Sequence, residues 1–189
     1  MARKVITSVP EGAIKTPTAN VKQTTTFSCG AATLHSVCAY WGVGLACEED
    51  YFRVLNTDEE TGTLPDRIIS YAKKRGLHVD AKDCMTVAEL QRHLDKGRPV
   101  IVLVQAHGDK RKYRDYNEAG HYVIAIGYDD RKVYFEDPIM SGRRVFMTYP
   151  EFDDRWHDRD ASGKEYIRYG IAIWRKGKPS YIYQAEKMW

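Results

Sequence analysis

The segment QTTTFSCG places one cysteine, Cys29, where it could act as a nucleophile. Apolar residues recur at helical spacing over residues 29–41, and Ser28 is placed to cap this predicted helix. A thiol at a helix N-terminus faces unpaired backbone N–H groups and the positive end of the helix dipole, which favour the thiolate. Gly30 is expected to leave room for a substrate backbone close to the sulfur. The pattern indicates acyl-transfer chemistry at Cys29.

A second candidate group lies about ninety residues later, where His121 opens the apolar segment GHYVI. A tight turn at Asp129 and Asp130 is expected to fold the following strand back and bring Asp137 near His121. In a Cys–His mechanism one imidazole nitrogen takes the thiol proton, while a carboxylate or amide accepts a hydrogen bond from the other. We therefore predict that His121 is the general base and that Asp137 orients its ring.

The three remaining cysteines are interpreted as structural. The chain has no CxxC pair and no histidines at zinc-finger spacing, so we expect neither a metal site nor a cofactor.

No secretory signal or membrane span is recognisable, which predicts a cytoplasmic protein in which disulfides are unfavourable. We expect the remaining thiols to behave as small buried side chains; they belong to Cys38, Cys47 and Cys84.

Helices are predicted early in the chain and strands later. Besides residues 29–41, helices are expected at residues 65–75 and 87–96, the latter beginning with a Thr86/Glu89 capping box. Strands are expected at residues 100–105, 121–128, 133–136, 144–148 and 169–174. This order predicts an α+β fold with N-terminal helices packed on a mostly antiparallel sheet.

Composition favours one globular domain spanning residues 1–189. A net charge of +3 is too small to suggest nucleic acid as a partner, and the short basic cluster at residues 110–114 is interpreted as a solvated loop. The acidic runs at residues 48–50, 58–60 and 151–154 are likewise interpreted as solvated surface. The loop over residues 109–119 could border the cleft and contact substrate.

The ordered motifs resemble the bacteriocin-processing peptidases that cut after a double glycine, a family within the papain-like cysteine peptidases. The resemblance runs from about residue 23 to residue 138 and rests on four matching segments: Gln23 with Cys29-Gly30, Leu94 to Ile101, Gly120-His121-Tyr122-Val123, and Asp137-Pro138.

The resemblance implies a papain-like fold and a catalytic set in which Gln23 donates to the oxyanion, Cys29 attacks, His121 acts as base and Asp137 orients it. Ser28 stands where these peptidases usually carry Asp. Family members are usually fused to transporter parts, which this sequence lacks, so a larger secretion or processing system is a possible partner.

Three functions are compatible with these residues. The first is a thiol protease that hydrolyses a peptide or protein substrate. The second is a transpeptidase, in which an amine intercepts the same thioester. The third is a peptide-binding module that keeps the fold without catalysis. All four candidate positions are occupied by suitable residues, which ranks the binding module last. The hydrolase is the favoured interpretation, although the transpeptidase would use the same three residues and stays open.

Overall fold

The structure, a computed structural model, describes residues 9–106, 113–140 and 143–180. The helices within these ranges are α1 (Cys29–Tyr40), α2 (Glu48–Leu55), α3 (Pro65–Lys74), α4 (Val87–Asp95) and α5 (Tyr149–Arg155). The strands are β1 (His78–Lys82), β2 (Val100–Gln105), β3 (Gly120–Tyr128), β4 (Lys132–Glu136), β5 (Arg144–Thr148), β6 (His157–Arg159), β7 (Glu165–Ile167) and β8 (Gly170–Trp174). Three helices precede the first strand, so the predicted α+β order is confirmed.

Six strands form the main sheet, in the order β1-β8-β2-β3-β4-β5, and β6 pairs with β7 in a separate two-stranded sheet. All of these pairings are antiparallel. The β3–β4 hairpin closes at Asp129, whose backbone N–H donates to the Lys132 carbonyl over 3.0 Å and whose carboxylate accepts from two further backbone N–H groups. This is the predicted hairpin that carries the chain from His121 towards Asp137.

The sheet is covered on both faces, which explains why β2 is a continuous apolar run. Alternate side chains of a strand point to opposite faces. Ile101 and Leu103 belong to one buried cluster, together with side chains of α1, α2 and α3. Val102 and Val104 belong to a second cluster, together with side chains of α4 and α5. Every residue of β2 is buried as a result.

Local signals predicted several element boundaries to within one residue. The capping box of α4 is present, with Thr86 Oγ1 accepting from the Glu89 backbone N–H and the Glu89 carboxylate accepting from that of Thr86. The prediction for Ser28 was wrong in part. Ser28 occupies the N-cap position of α1, but its side chain makes no capping hydrogen bond. Its hydroxyl instead accepts from the Thr25 backbone N–H over 3.2 Å.

The acidic runs form the predicted solvated surface only in part: residues 58–60 are exposed, whereas the other two runs lie on helices that each bury one side. Residues 48–50 form the first turn of α2, and Glu48 is only 4% exposed. Residues 151–154 lie in α5, whose Phe152 is fully buried against Trp156 and Phe135. Both helices are short, and α2, α5, β1, β6 and β7 were not predicted from the sequence. Within the described ranges, no helix combines the length and apolar character needed to cross a bilayer.

Candidate active site

Cys29 is the first residue of α1 and is partly buried. Ser28 is the N-cap residue of this helix, and its carbonyl accepts the Ala32 N–H over 3.0 Å. The backbone N–H groups of the first turn have no partners inside the helix and point out of its N-terminal end, where Cys29 lies. The predicted helix N-terminal thiol is therefore present in the fold.

His121 is buried near the start of β3 and hydrogen bonds to Asp137. The distance from His121 Nε2 to Asp137 Oδ1 is 2.8 Å, and the histidine is 4% exposed. Asp137 directly follows β4, and the pairing of Ile124 with Glu136 brings it alongside the first residues of β3. The same Oδ1 accepts the Ile139 backbone N–H over 2.9 Å, which holds the carboxylate in place.

The other partner of the imidazole is the Cys29 thiol. Burial disfavours the charged imidazole, but hydrogen bonds to Asp137 and Cys29 outweigh this and raise the pKa of His121 to about 9. Since Nε2 faces Asp137, the remaining ring nitrogen, Nδ1, is the one available to the thiol. The His121 imidazole thus lies between the Cys29 thiol and the Asp137 carboxylate, which is the arrangement that a Cys–His mechanism uses.

Gln23 is buried in the loop that leads into α1. Its backbone N–H donates to the Pro138 carbonyl over 3.0 Å, which ties the loop to the residue after Asp137. Its side-chain Nε2 donates to the Thr25 carbonyl over 2.6 Å. A primary amide nitrogen carries two protons, so one N–H remains for another acceptor. The role of Gln23 as an oxyanion donor stays a prediction.

Gly30 does not have the role expected from the sequence. It is buried, and a Cβ at this position would lie 2.6 Å from Cβ of Thr63. The space beside Gly30 is therefore filled by the Thr63 side chain rather than left open for a substrate. Tyr122, next to His121, donates its hydroxyl to the Thr63 carbonyl over 2.8 Å. Thr63 therefore contacts both the start of β3, through this hydrogen bond, and the first turn of α1, through its packing against Gly30.

Gly120 is also required by close packing. A Cβ on Gly120 would lie 2.3 Å from Oδ2 of Asp158, a residue of β6. Asp158 is fixed by Gln105, whose Nε2 donates to its Oδ1 over 2.9 Å, and burial raises the pKa of the Asp158 carboxyl. No local sequence signal indicated this titratable group beside Gly120, because β6 is only three residues long.

Asn20 supports the position of Asp137 and was also missed in the sequence. Its Nδ2 donates to Glu136 Oε2 over 2.8 Å and to the Asp137 carbonyl over 3.4 Å. Glu136 is buried and pairs with Arg144 at 3.0 Å. The proximity of Asn20 to the predicted oxyanion residue Gln23 in the sequence was the available signal.

The other cysteines differ in exposure. Cys38 is fully buried, and burial raises its pKa to about 11, so its predicted structural role is confirmed. Cys47 and Cys84 are exposed, and the prediction that they are buried was wrong. Both lie outside helices and strands, where no apolar periodicity constrains them.

The predicted cleft loop is described only in its second half, because residues 109–112 lie outside the described ranges. Tyr113 is buried, and the Arg155 guanidinium lies 3.7 Å from the centre of its ring. His157 bonds to the Tyr113 carbonyl at 2.9 Å and to the Asn117 side chain at 3.2 Å. This half of the loop is therefore attached to α5 and β6.

Similarity to solved structures supports the papain-like fold. The chain is 24% identical to the peptidase domain of Streptococcus ComA, a bifunctional ABC transporter, with a TM-score of 0.60 over 82% of this chain and 97% of that one. It is 17% identical to a double glycine motif protease from an AMS/PCAT transporter, solved with its leader peptide, with a TM-score of 0.61 over 89% and 96%. A C39-like peptidase from Bacillus anthracis is 16% identical, with a TM-score of 0.65 over 88% and 98%.

These identities establish the fold alone, and a comparison with curated proteins gave no match. The family comparison is more specific. Residues 16–163 match the family described as Peptidase_C39 like, and this range includes Gln23, Cys29, His121 and Asp137. The matched range covers well over half of the chain, so this protein belongs to the Peptidase_C39-like family.

Proposed function

We propose that this chain is a cysteine peptidase that cleaves peptide bonds through a thioester on Cys29. In this proposal His121 is the general base, Asp137 orients its ring and Gln23 donates to the oxyanion. The observation that carries the proposal is the hydrogen bonding of His121 to both Cys29 and Asp137, which raises the pKa of the imidazole to about 9. A protonated imidazole beside the thiol stabilises the thiolate.

The reaction proceeds by two acyl transfers. The Cys29 thiolate attacks the carbonyl carbon, and the tetrahedral intermediate collapses to a thioester as the C–N bond breaks. The leaving amine takes a proton from the His121 imidazolium. Neutral His121 then accepts a proton from water, which attacks the thioester, and the acid leaves as the thiol is restored. A Gln23 N–H at the oxyanion would contribute about 3 kcal/mol to each tetrahedral step.

The substrate class in this proposal is a peptide with two glycines before the scissile bond. One solved relative is described as a double glycine motif protease in complex with the leader peptide. Another belongs to an ABC transporter, so a secretion or processing system is a reasonable partner for this chain as well. A cytoplasmic location is part of the same proposal.

The experiment is product analysis by mass spectrometry with a synthetic peptide that contains an internal Gly-Gly. The wild-type protein should cut after the second glycine, and Cys29→Ala should not. His121→Ala should lower the rate by about 10³-fold or more, whereas Asp137→Asn should lower it less, because the amide oxygen still accepts from the ring. Cys84→Ser, which changes an exposed thiol, is the matched control.

The same assay separates the three functions. Adding a second peptide with a free N-terminus tests for transfer, since a transpeptidase yields a ligated product and a hydrolase yields only acid. A protein that binds the peptide but leaves it uncut, with Cys29 unreactive towards peptide electrophiles, would be a binding module. That last result would refute the proposed peptidase.

A further inference from the structure

A buried carboxyl group at the start of α2 has no role in the mechanism described so far. Glu48 is 4% exposed, whereas the next residue, Glu49, is exposed. Spacings of three and seven residues place Glu48 on the same helix face as Tyr51 and Leu55, both fully buried. Burial of a carboxyl group costs free energy unless polar partners compensate. A specific contact is therefore expected to explain its position.

That contact is with the loop that carries Gln23. Glu48 Oε2 accepts the Thr24 backbone N–H over 2.9 Å. Its Oε1 is buried and has no hydrogen-bond partner among the residues that the structure describes. The carboxyl thus makes one strong contact, to the peptide group directly after Gln23, and this contact links α2 to the loop before Cys29.

The loop is held at three successive backbone N–H groups, each from a different direction. Gln23 N–H donates to the Pro138 carbonyl over 3.0 Å, and Thr25 N–H donates to the Ser28 hydroxyl over 3.2 Å. Between them, Thr24 N–H donates to Glu48. Thr24 itself is exposed, so little packing fixes this peptide group. The Glu48 carboxyl is the hydrogen-bond acceptor that the structure gives this peptide N–H, and it therefore constrains the orientation of the peptide.

We propose that Glu48 is a positioning residue that holds the Gln23 side chain in the oxyanion hole by fixing the Thr24 peptide. The inference rests on the proposed role of Gln23 as an oxyanion donor. A misplacement of about 1 Å in an active site costs on the order of 10²-fold in rate. Loss of the Glu48 contact should therefore lower turnover without removing any group that touches the substrate.

A purely structural role for Glu48 would be stabilisation of α2 through the helix dipole, since acidic residues are favourable in the first turn. Glu49 lies in the same turn with the same charge and can provide this stabilisation from an exposed position. Substitutions at the two positions therefore distinguish a helix effect from an effect on the loop.

The test compares Glu48→Leu, Glu48→Gln and the control Glu49→Leu, each with and without Gln23→Ala. Leucine fills the buried space but cannot accept the Thr24 N–H, whereas glutamine keeps an acceptor oxygen. A fluorogenic peptide that ends in Gly-Gly-aminomethylcoumarin reports kcat and KM under single- and multiple-turnover conditions. Alkylation of Cys29 by iodoacetamide, which forms no oxyanion, reports whether the fold and the Cys29–His121 pair are intact.

Glu48→Leu should lower kcat by about 10-fold or more with KM and alkylation nearly unchanged, and Glu48→Gln should retain more activity. In the Gln23→Ala background, Glu48→Leu should lower kcat by less than about 2-fold, because both substitutions act on one group. If Glu48→Leu fails to fold, Glu48→Ala replaces it in the same comparison.

Two results would overturn the inference while leaving the oxyanion role of Gln23 intact. One is that Glu48→Leu has the same kcat as the control Glu49→Leu although Gln23→Ala is strongly impaired. In that case Gln23 acts as proposed, but Glu48 does not position it. The other is full multiplication of the Glu48→Leu and Gln23→Ala losses, which would mean that Glu48 acts elsewhere. If Gln23→Ala has wild-type kcat, the oxyanion role of Gln23 fails and the inference fails with it.

Discussion

Replacing Asp137 with alanine should remove much of the pH dependence that His121 confers on the free energy of unfolding. Burial acts against a charged imidazole, and the hydrogen bonds to Asp137 and Cys29 reverse this and raise the pKa of His121 from 6.5 to about 9. At about 1.4 kcal/mol per tenfold change in affinity, this difference corresponds to about 3 kcal/mol. Without Asp137, burial is opposed chiefly by Cys29, so the pKa should fall.

The raised pKa of His121 determines whether the free energy of unfolding rises or falls with pH. A raised folded-state pKa means that the folded protein holds the proton more tightly than the unfolded chain. The stabilisation is therefore complete below pH 6.5 and is lost as the pH rises towards 9. The excess stability of the wild type over Asp137→Ala should shrink by up to about 3 kcal/mol across this window.

Urea denaturation at several pH values between 5.5 and 9 measures this difference directly. Asp137→Asn should behave between the two proteins, because an amide accepts the hydrogen bond without the negative charge. Asp130→Ala is the matched control, since it removes an exposed carboxylate from the β3–β4 turn. A wild-type excess over Asp137→Ala that stays constant from pH 6.5 to 9 would show that Asp137 does not raise the pKa of His121.

Two further predictions concern the first turn of α1. Mild iodoacetamide near neutral pH should modify Cys29 before Cys47 and Cys84, although the latter two are exposed, because the imidazole of His121 is paired with the Cys29 thiol. Peptide mapping that shows equal rates at all three thiols would contradict the activation of Cys29. Gly30→Ala should destabilise the fold by about 1–3 kcal/mol, since the new Cβ would lie 2.6 Å from Thr63 Cβ. Thr63→Ala should not rescue it, because alanine keeps that Cβ, and a thermal unfolding midpoint for Gly30→Ala above wild type would refute the clash.

Local signals were sufficient to predict the elements that carry the main chemical groups. The helix that begins at Cys29, the β3–β4 hairpin and the capping box of α4 depend on neighbours within a few residues, so each is encoded in a short stretch of sequence. The single-domain boundary at residues 1–189 and the cytoplasmic location stay predictions.

Short elements could not be predicted in the same way. Each of β6 and β7 has only three residues, too few to show a strand period, and α2 begins with three acidic residues typical of solvated surface. Tertiary packing covers one face of α2, and Glu48 is buried with that face. Helix and strand propensities predict short elements poorly, because tertiary packing decides which conformation such a segment adopts.

Residue types suited to acyl transfer, their order along the chain, and the helix and strand that carry Cys29 and His121 could be read from local patterns alone. Three contacts depend on the packed fold: Asp137 lies 2.8 Å from His121, Thr63 fills the space beside Gly30, and Glu48 binds the loop after Gln23. Periodicity and capping are properties of adjacent residues. These three contacts join residues from separate segments, and they form only when the chain packs into one fold.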